Sequence, residues 1–142
     1  GSAAELATRP AAAFVADFTG SSVLHGDAQA GADGLTAVRL DGGGTVVSSD
    51  RARGEVAATV QAWEITLHPD GDPLAAAASA LNTLRAEIVA VTPLGNRVRV
   101  GLALPQPLTV EVTEAASKRL ALKPGASVIA AWKATATRLV PR

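Results

Sequence analysis

The sequence predicts a mainly β fold: two small five-stranded barrels in tandem, with a short N-terminal helix and a short helix in the second half. Three observations point there. Apolar residues make up 48% of the 142, enough for a packed core, while 13 glycines and 8 prolines cut the chain into short segments. Between those breaks apolar positions alternate with period two, as in Val98, Val100, Leu102 and Leu104. The outline also repeats. Each half runs through hairpin strands to a glycine and then a long closing strand that carries a tryptophan, Gly54 with Trp63 and Gly125 with Trp132.

In chain order, Thr8 and Pro10 open a helix whose Phe14 and Phe18 share a face and which ends at Gly20. Ser22 to Ala30 reads as a strand, followed by a turn at Gly31–Gly34 and a second strand from Leu35. Asp41–Gly44 is a hairpin turn into Thr45–Val47. After a polar stretch, Glu55 to Leu67 reads as one long strand. A break at His68–Pro73, with two prolines and a glycine, separates the halves. Ala80 to Val91 is a strand, Pro93–Asn96 a turn, and Arg97–Leu104 and Leu108–Val112 two further strands. Thr113 caps a short helix over Glu114–Leu122, and Val128 to Val140 reads as a last long strand. Two OB-type barrels of about 60–65 residues each satisfy this outline. Either alone would be marginal, so exchange of strands between the halves, or dimerisation, is the expected remedy. The expected organisation is 1–2 as a cut scar, 3–20 as a connecting helix, 21–68 as the first barrel, 69–78 as a linker and 79–142 as the second barrel.

Composition excludes several functions. Thirteen basic and thirteen acidic residues give a formal net charge of zero, and aromatics are 3%, so nucleic acid is not an expected partner. Without cysteine there is no thiol or zinc–thiolate chemistry. No GxSxG, HExxH or GxxxxGK[ST] motif occurs, so the chain is not expected to be an enzyme. His25 and His68 lack partners at ligand spacing, Asp70 and Asp72 lie in a Pro/Gly loop, and no metal is expected. Gly1-Ser2 reads as a protease scar, and with no methionine the chain is expected to be a piece of a longer protein.

The donors of the second half stand out. Ser79, Asn82, Thr113, Ser117, Lys133 and Thr135 fall at strand or helix ends. Hydroxyls, an amide, backbone N–H groups and one ammonium, with no carboxylate among them, suit a tetrahedral oxyanion. The same residues also serve as β-formers and caps, and the residue types alone leave both roles open.

Four separated blocks resemble the Mop (TOBE) domain family: Ser79-Ala80-Leu81-Asn82-Thr83-Leu84, Val112-Thr113, Leu120-Ala121-Leu122-Lys123-Pro124-Gly125, and Trp132-Lys133-Ala134-Thr135-Ala136. That family runs approximately SARNxLxGxV … VTxxSxxxLGLxxGxxVxAxIKAT. Where the pattern has arginine this chain has Leu81, and its serine falls on Ala116, with Ser117 displaced by one. Arg9-Pro10 through Phe18-Thr19-Gly20 to Val23-Leu24-His25-Gly26 is similar to the junction after the nucleotide-binding domain of ABC importer ATPases. Gly54-Glu55-Val56 to Ala62-Trp63-Glu64-Ile65-Thr66-Leu67 resembles the closing strand of the first regulatory barrel in those subunits.

The resemblance implies the C-terminal regulatory domain of an ABC importer ATP-binding subunit, most like the molybdate or tungstate branch. It implies a homodimer at the inner face of the plasma membrane, in the cytoplasm. The ATPase domain and the membrane subunit would be its partners. No cofactor is required, and molybdate or tungstate would be the ligand, held by Ser79, Asn82, Thr113, Ser117, Lys133, Ala134 and Thr135. A non-sensing dimerisation module of a sulfate, sugar or polyamine importer is the alternative. A cytosolic oxyanion-storage protein built of tandem Mop domains is a third class, set against the junction-like helix.

Overall fold

The computed structural model describes residues 20–71 and 81–141. The expected helix with Phe14 and Phe18, Ser79 and most of the expected linker lie outside those residues. Strands make up most of the rest: β1 (Ser21–Ala30), β2 (Thr36–Leu40), β3 (Thr45–Ser48), β4 (Gly54–Gln61), β5 (Thr66–Pro69), β6 (Leu81–Leu94), β7 (Arg97–Ala103), β8 (Leu108–Thr113), β9 (Ser127–Lys133) and β10 (Arg138–Pro141). One helix, α1 (Glu114–Leu120), follows β8.

Two antiparallel five-stranded sheets result, in the orders β10-β4-β1-β2-β3 and β5-β9-β6-β7-β8. Each takes its first edge strand from the other half of the chain. β10 pairs with β4, Arg138 opposite Thr59, and β5 pairs with β9, Thr66 opposite Ala131. The inward residues of both sheets, among them Leu24, Val38, Val56, Ile88, Val100 and Trp132, form one continuous buried cluster. Alternation decides which side is buried: along β1 Ser22, Leu24, Gly26 and Ala28 face inward and Val23, His25 and Asp27 outward.

Both expected long closing strands are broken. Glu55–Leu67 divides into β4, a three-residue 3-10 turn at Ala62–Glu64, and β5. Val128–Val140 divides in the same way around Ala134–Ala136. The cause is topological: at each corner the chain leaves one sheet and enters the other, and a flat strand cannot do both. The spacing shows it in hindsight, since Ala62 and Ile65 are both buried three residues apart, a 3-10 rather than a strand period. At the break Trp63 sits in the turn and is 56% exposed, whereas Trp132 is 1% exposed. Three smaller differences concern ends. β5 continues through His68 to Pro69, an edge position that a proline tolerates. β6 runs through Pro93 to Leu94 before turning at Gly95. α1 stops at Leu120 because Ala121 adopts a left-handed conformation at φ 52.

Two reciprocal side-chain clamps join the halves. Ser22 Oγ of β1 accepts from the Thr109 N–H of β8 at 2.8 Å. Asn82 of β6 grips β3 on both sides, its Oδ1 accepting from Val47 N at 2.7 Å and its Nδ2 donating to Val47 O at 3.0 Å. A third bridge, Gln106, donates to the carbonyls of His25 and Asp41 at 2.8 and 3.1 Å and accepts from His25 N.

β1 and β2 approach closely at Gly26. A Cβ there would lie 2.5 Å from the Arg39 carbonyl oxygen, a backbone atom with little freedom to move. Gly26→Ala is therefore expected to lower stability by about 1–3 kcal/mol, the usual cost of overpacking. Urea denaturation with the midpoint compared to wild type measures it; an unchanged midpoint would contradict the close approach.

Candidate functional site

Chain pairing brings two of the sequence-singled blocks together. Leu81 pairs with Lys133 and Asn82 with Trp132 at the start of β6 and the end of β9. Directly beyond, the corner Ala134–Ala136 begins, with Lys133 as its extended N-cap residue at φ −79, ψ 150. Lys133 and Thr135 are exposed there, while Ala134 is buried. Lys133 forms no ion pair with another described residue.

A buried hydroxyl fixes this corner. Thr137, 1% exposed, donates from Oγ1 to the Lys133 carbonyl at 3.0 Å. The same oxygen accepts from Trp132 Nε1 at 3.0 Å and Asn82 Nδ2 at 3.2 Å. The Thr137 carbonyl accepts from Ser48 Oγ, and the Ala134 carbonyl from Ser49 N at 3.2 Å. Every polar atom in this cluster has a partner, as burial demands. Asn82 is consequently a brace. It is 4% exposed and both its amide N–H groups are engaged inside the fold.

Thr113 and Ser117 occupy a different place. Leu94, Arg97 and Thr113 align across β6, β7 and β8 at the far end of the 14-residue strand β6 from Leu81 and Lys133. Within the second sheet, then, the Thr113–α1 region and the Lys133 corner lie at opposite ends. Thr113 Oγ1 accepts from Ala116 N at 3.1 Å as the helix cap, which leaves its O–H proton able to donate outward. Ser117 is half-buried on α1, its carbonyl taken by Leu122 N. Nearby, Glu111 is held by Arg97 at 3.0 Å and Arg99 at 3.3 Å, so that carboxylate is neutralised. Asp50, beyond the Lys133 corner, is similarly occupied by Leu139 N at 3.0 Å and Arg138 at 3.5 Å.

Thr137, Ser48 and Ser22 were not singled out by the sequence. Only Thr137 carried a signal: a hydroxyl five residues after a tryptophan whose indole N–H needs an acceptor once buried. A cavity of about 190 Å³ between the sheets is lined by Leu24, Leu40, Leu84, Leu104 and Pro105, with Arg85 and Gln106 at its polar part. Its apolar lining does not suit a dianion.

Residues 78–139 match the family model described as TOBE domain, and this part of the chain is a TOBE/Mop-type domain. The whole fold is similar to a solved structure of ModG, a cytoplasmic molybdate-binding protein, in a form with molybdate bound. The TM-score is 0.73 at 29% identity, over 84% of this chain and 95% of that one. No curated protein matches the chain at a significant level.

The Thr137 hydroxyl generates a prediction. Thr137→Val keeps the shape but strands the Trp132 and Asn82 N–H groups, and should cost about 2–4 kcal/mol. Chemical denaturation checks it. A loss below about 0.5 kcal/mol would mean that the network is not the brace described.

Proposed function

We propose that this chain is an oxyanion-binding regulatory module. It takes molybdate or tungstate at an interface where the Lys133–Ala134–Thr135 corner meets a Thr113–Ser117 region. One observation carries the reading: the likeness to a molybdate-binding protein extends over 95% of that protein, and the corner that the Mop pattern marks is rigid, exposed and without a carboxylate of its own. Lys133 supplies charge, Thr135 a hydroxyl, and the corner's backbone N–H groups further donors. Such a donor-only set favours an anion over a cation.

Because Thr113 lies at the far end of β6 from Lys133, a complete donor set calls for two modules side by side. We read the two sheets as two OB-type modules that have traded their closing strands, and we propose that copies of the chain associate to complete the sites. In this reading the parent is an ABC importer ATP-binding subunit on the cytoplasmic face of the membrane. Its ATPase domain and the membrane subunit are the partners, and bound oxyanion inhibits transport by biasing the geometry of the paired subunits.

A second reading is a non-sensing dimerisation module. It is favoured by Leu81, which stands where the Mop pattern has arginine, and by the engagement of Asn82 within the fold. Calorimetric titration with molybdate, tungstate and sulfate, alongside light scattering for mass, separates the two. The sensor reading expects heat with the larger oxyanions, none with sulfate, and binding about 10- to 100-fold weaker in Lys133→Ala, the worth of a charged hydrogen bond. No heat up to millimolar oxyanion, from a dimer or larger, would overturn it and leave the structural module.

A further inference from the structure

The two halves contain the same corner twice. Ser21 pairs with Gln61 and Ser22 with Val60, as Leu81 pairs with Lys133 and Asn82 with Trp132. A three-residue 3-10 turn follows in each, Ala62–Glu64 and Ala134–Ala136. The residues before the turns have nearly the same backbone, φ −79, ψ 142 at Gln61 and φ −79, ψ 150 at Lys133. Ile65 N–H returns to the Ala62 carbonyl as Thr137 N–H returns to that of Ala134. Both corners then feed a four-residue strand ending in proline, Pro69 or Pro141.

On this shared backbone the side chains differ at every position that faces solvent or braces the turn. Gln61 replaces the ammonium of Lys133, and its Oε1 is already taken by Ser21 Oγ at 2.8 Å. Trp63, 56% exposed, replaces the hydroxyl of Thr135 with an indole. Glu64 sets an exposed carboxylate where the second corner has Ala136. Beneath the turn, buried Ile65 replaces Thr137, so no hydroxyl pins the Gln61 carbonyl as Thr137 pins that of Lys133. Arg99, which reaches the same neighbourhood near Gly20, is held by Glu111.

Resting on the oxyanion reading above, we infer that the two corners have diverged and that each chain carries one oxyanion-binding corner, Lys133–Ala136, and not two. An anion at the first corner would meet a carboxylate, a bulky indole and, in Arg99, a cation already paired with Glu111. At the second it meets an ammonium and a hydroxyl on a turn held rigid from below.

Equilibrium dialysis of the purified chain against tungstate, with tungsten counted per chain by elemental analysis, tests this. One tungsten per chain is expected. Lys133→Ala, an exposed position, should reduce affinity at least about tenfold. Gln61→Ala, its counterpart in the first half, should leave both affinity and count unchanged. Two tungsten per chain, or loss of bound tungsten in Gln61→Ala, would overturn the inference while leaving the oxyanion reading standing. No tungsten retained at millimolar tungstate would overturn both.

Discussion

The Thr137 hydroxyl ties together parts of the chain that are far apart in sequence. It receives the Trp132 indole and the Asn82 amide and gives its own proton to the Lys133 carbonyl. Through Asn82 the same network reaches Val47, on the edge of the sheet built mainly by the first half. These groups are buried, and a buried polar group without a partner costs as much as a good packing contact contributes. The constraint is therefore mutual. The tryptophan, the corner and the junction between the sheets must all be in place for any of them to be satisfied.

That constraint explains why the exposed chemistry of the corner can be sparse. The side chains of Lys133 and Thr135 project from a backbone held from below, at the Lys133 carbonyl by Thr137 and at the Ala134 carbonyl by Ser49. Rigid support of this kind lets a few polar groups hold a ligand without ordering themselves on binding. The first half reaches a comparable backbone by apolar means, with Ile65 and Val60 buried where the second half has Thr137 and Trp132. A similar 3-10 corner thus occurs twice, braced once by hydrogen bonds and once by packing.

Much of this was legible in the sequence. Period-two alternation and Gly/Pro punctuation located most strands and hairpins, and Thr113 is the helix cap that its position announced. The blocks around Asn82 and Lys133 are adjacent through β6–β9 pairing. The corners were not legible. Ala-Trp-Glu and Ala-Thr-Ala contain no glycine or proline, so nothing local marks a 3-10 turn, and the need for one arises only when the flanking strands join different sheets. The exposure of Trp63 was hidden for the same reason, since its side of the chain follows from where the strand stops. Asn82 looked like a donor because residue type does not reveal whether an amide is spent inside the fold. Its two engagements depend on Val47 and Thr137, 35 and 55 residues away.

The pairing of β10 with β4 has a bearing on how the chain is made. Arg138–Pro141 lies at the end of the described sequence, yet it supplies the edge beside Thr59, Ala58, Ala57 and Val56. During synthesis from the N-terminus, the first sheet cannot be completed until β10, about 80 residues after β4, has emerged. Until then β4 offers an open hydrogen-bonding edge to any other extended segment, including that of a neighbouring nascent chain. Contacts of such long sequence separation also close slowly. Arrival of β10 is thus the event that closes the open edge of the first sheet.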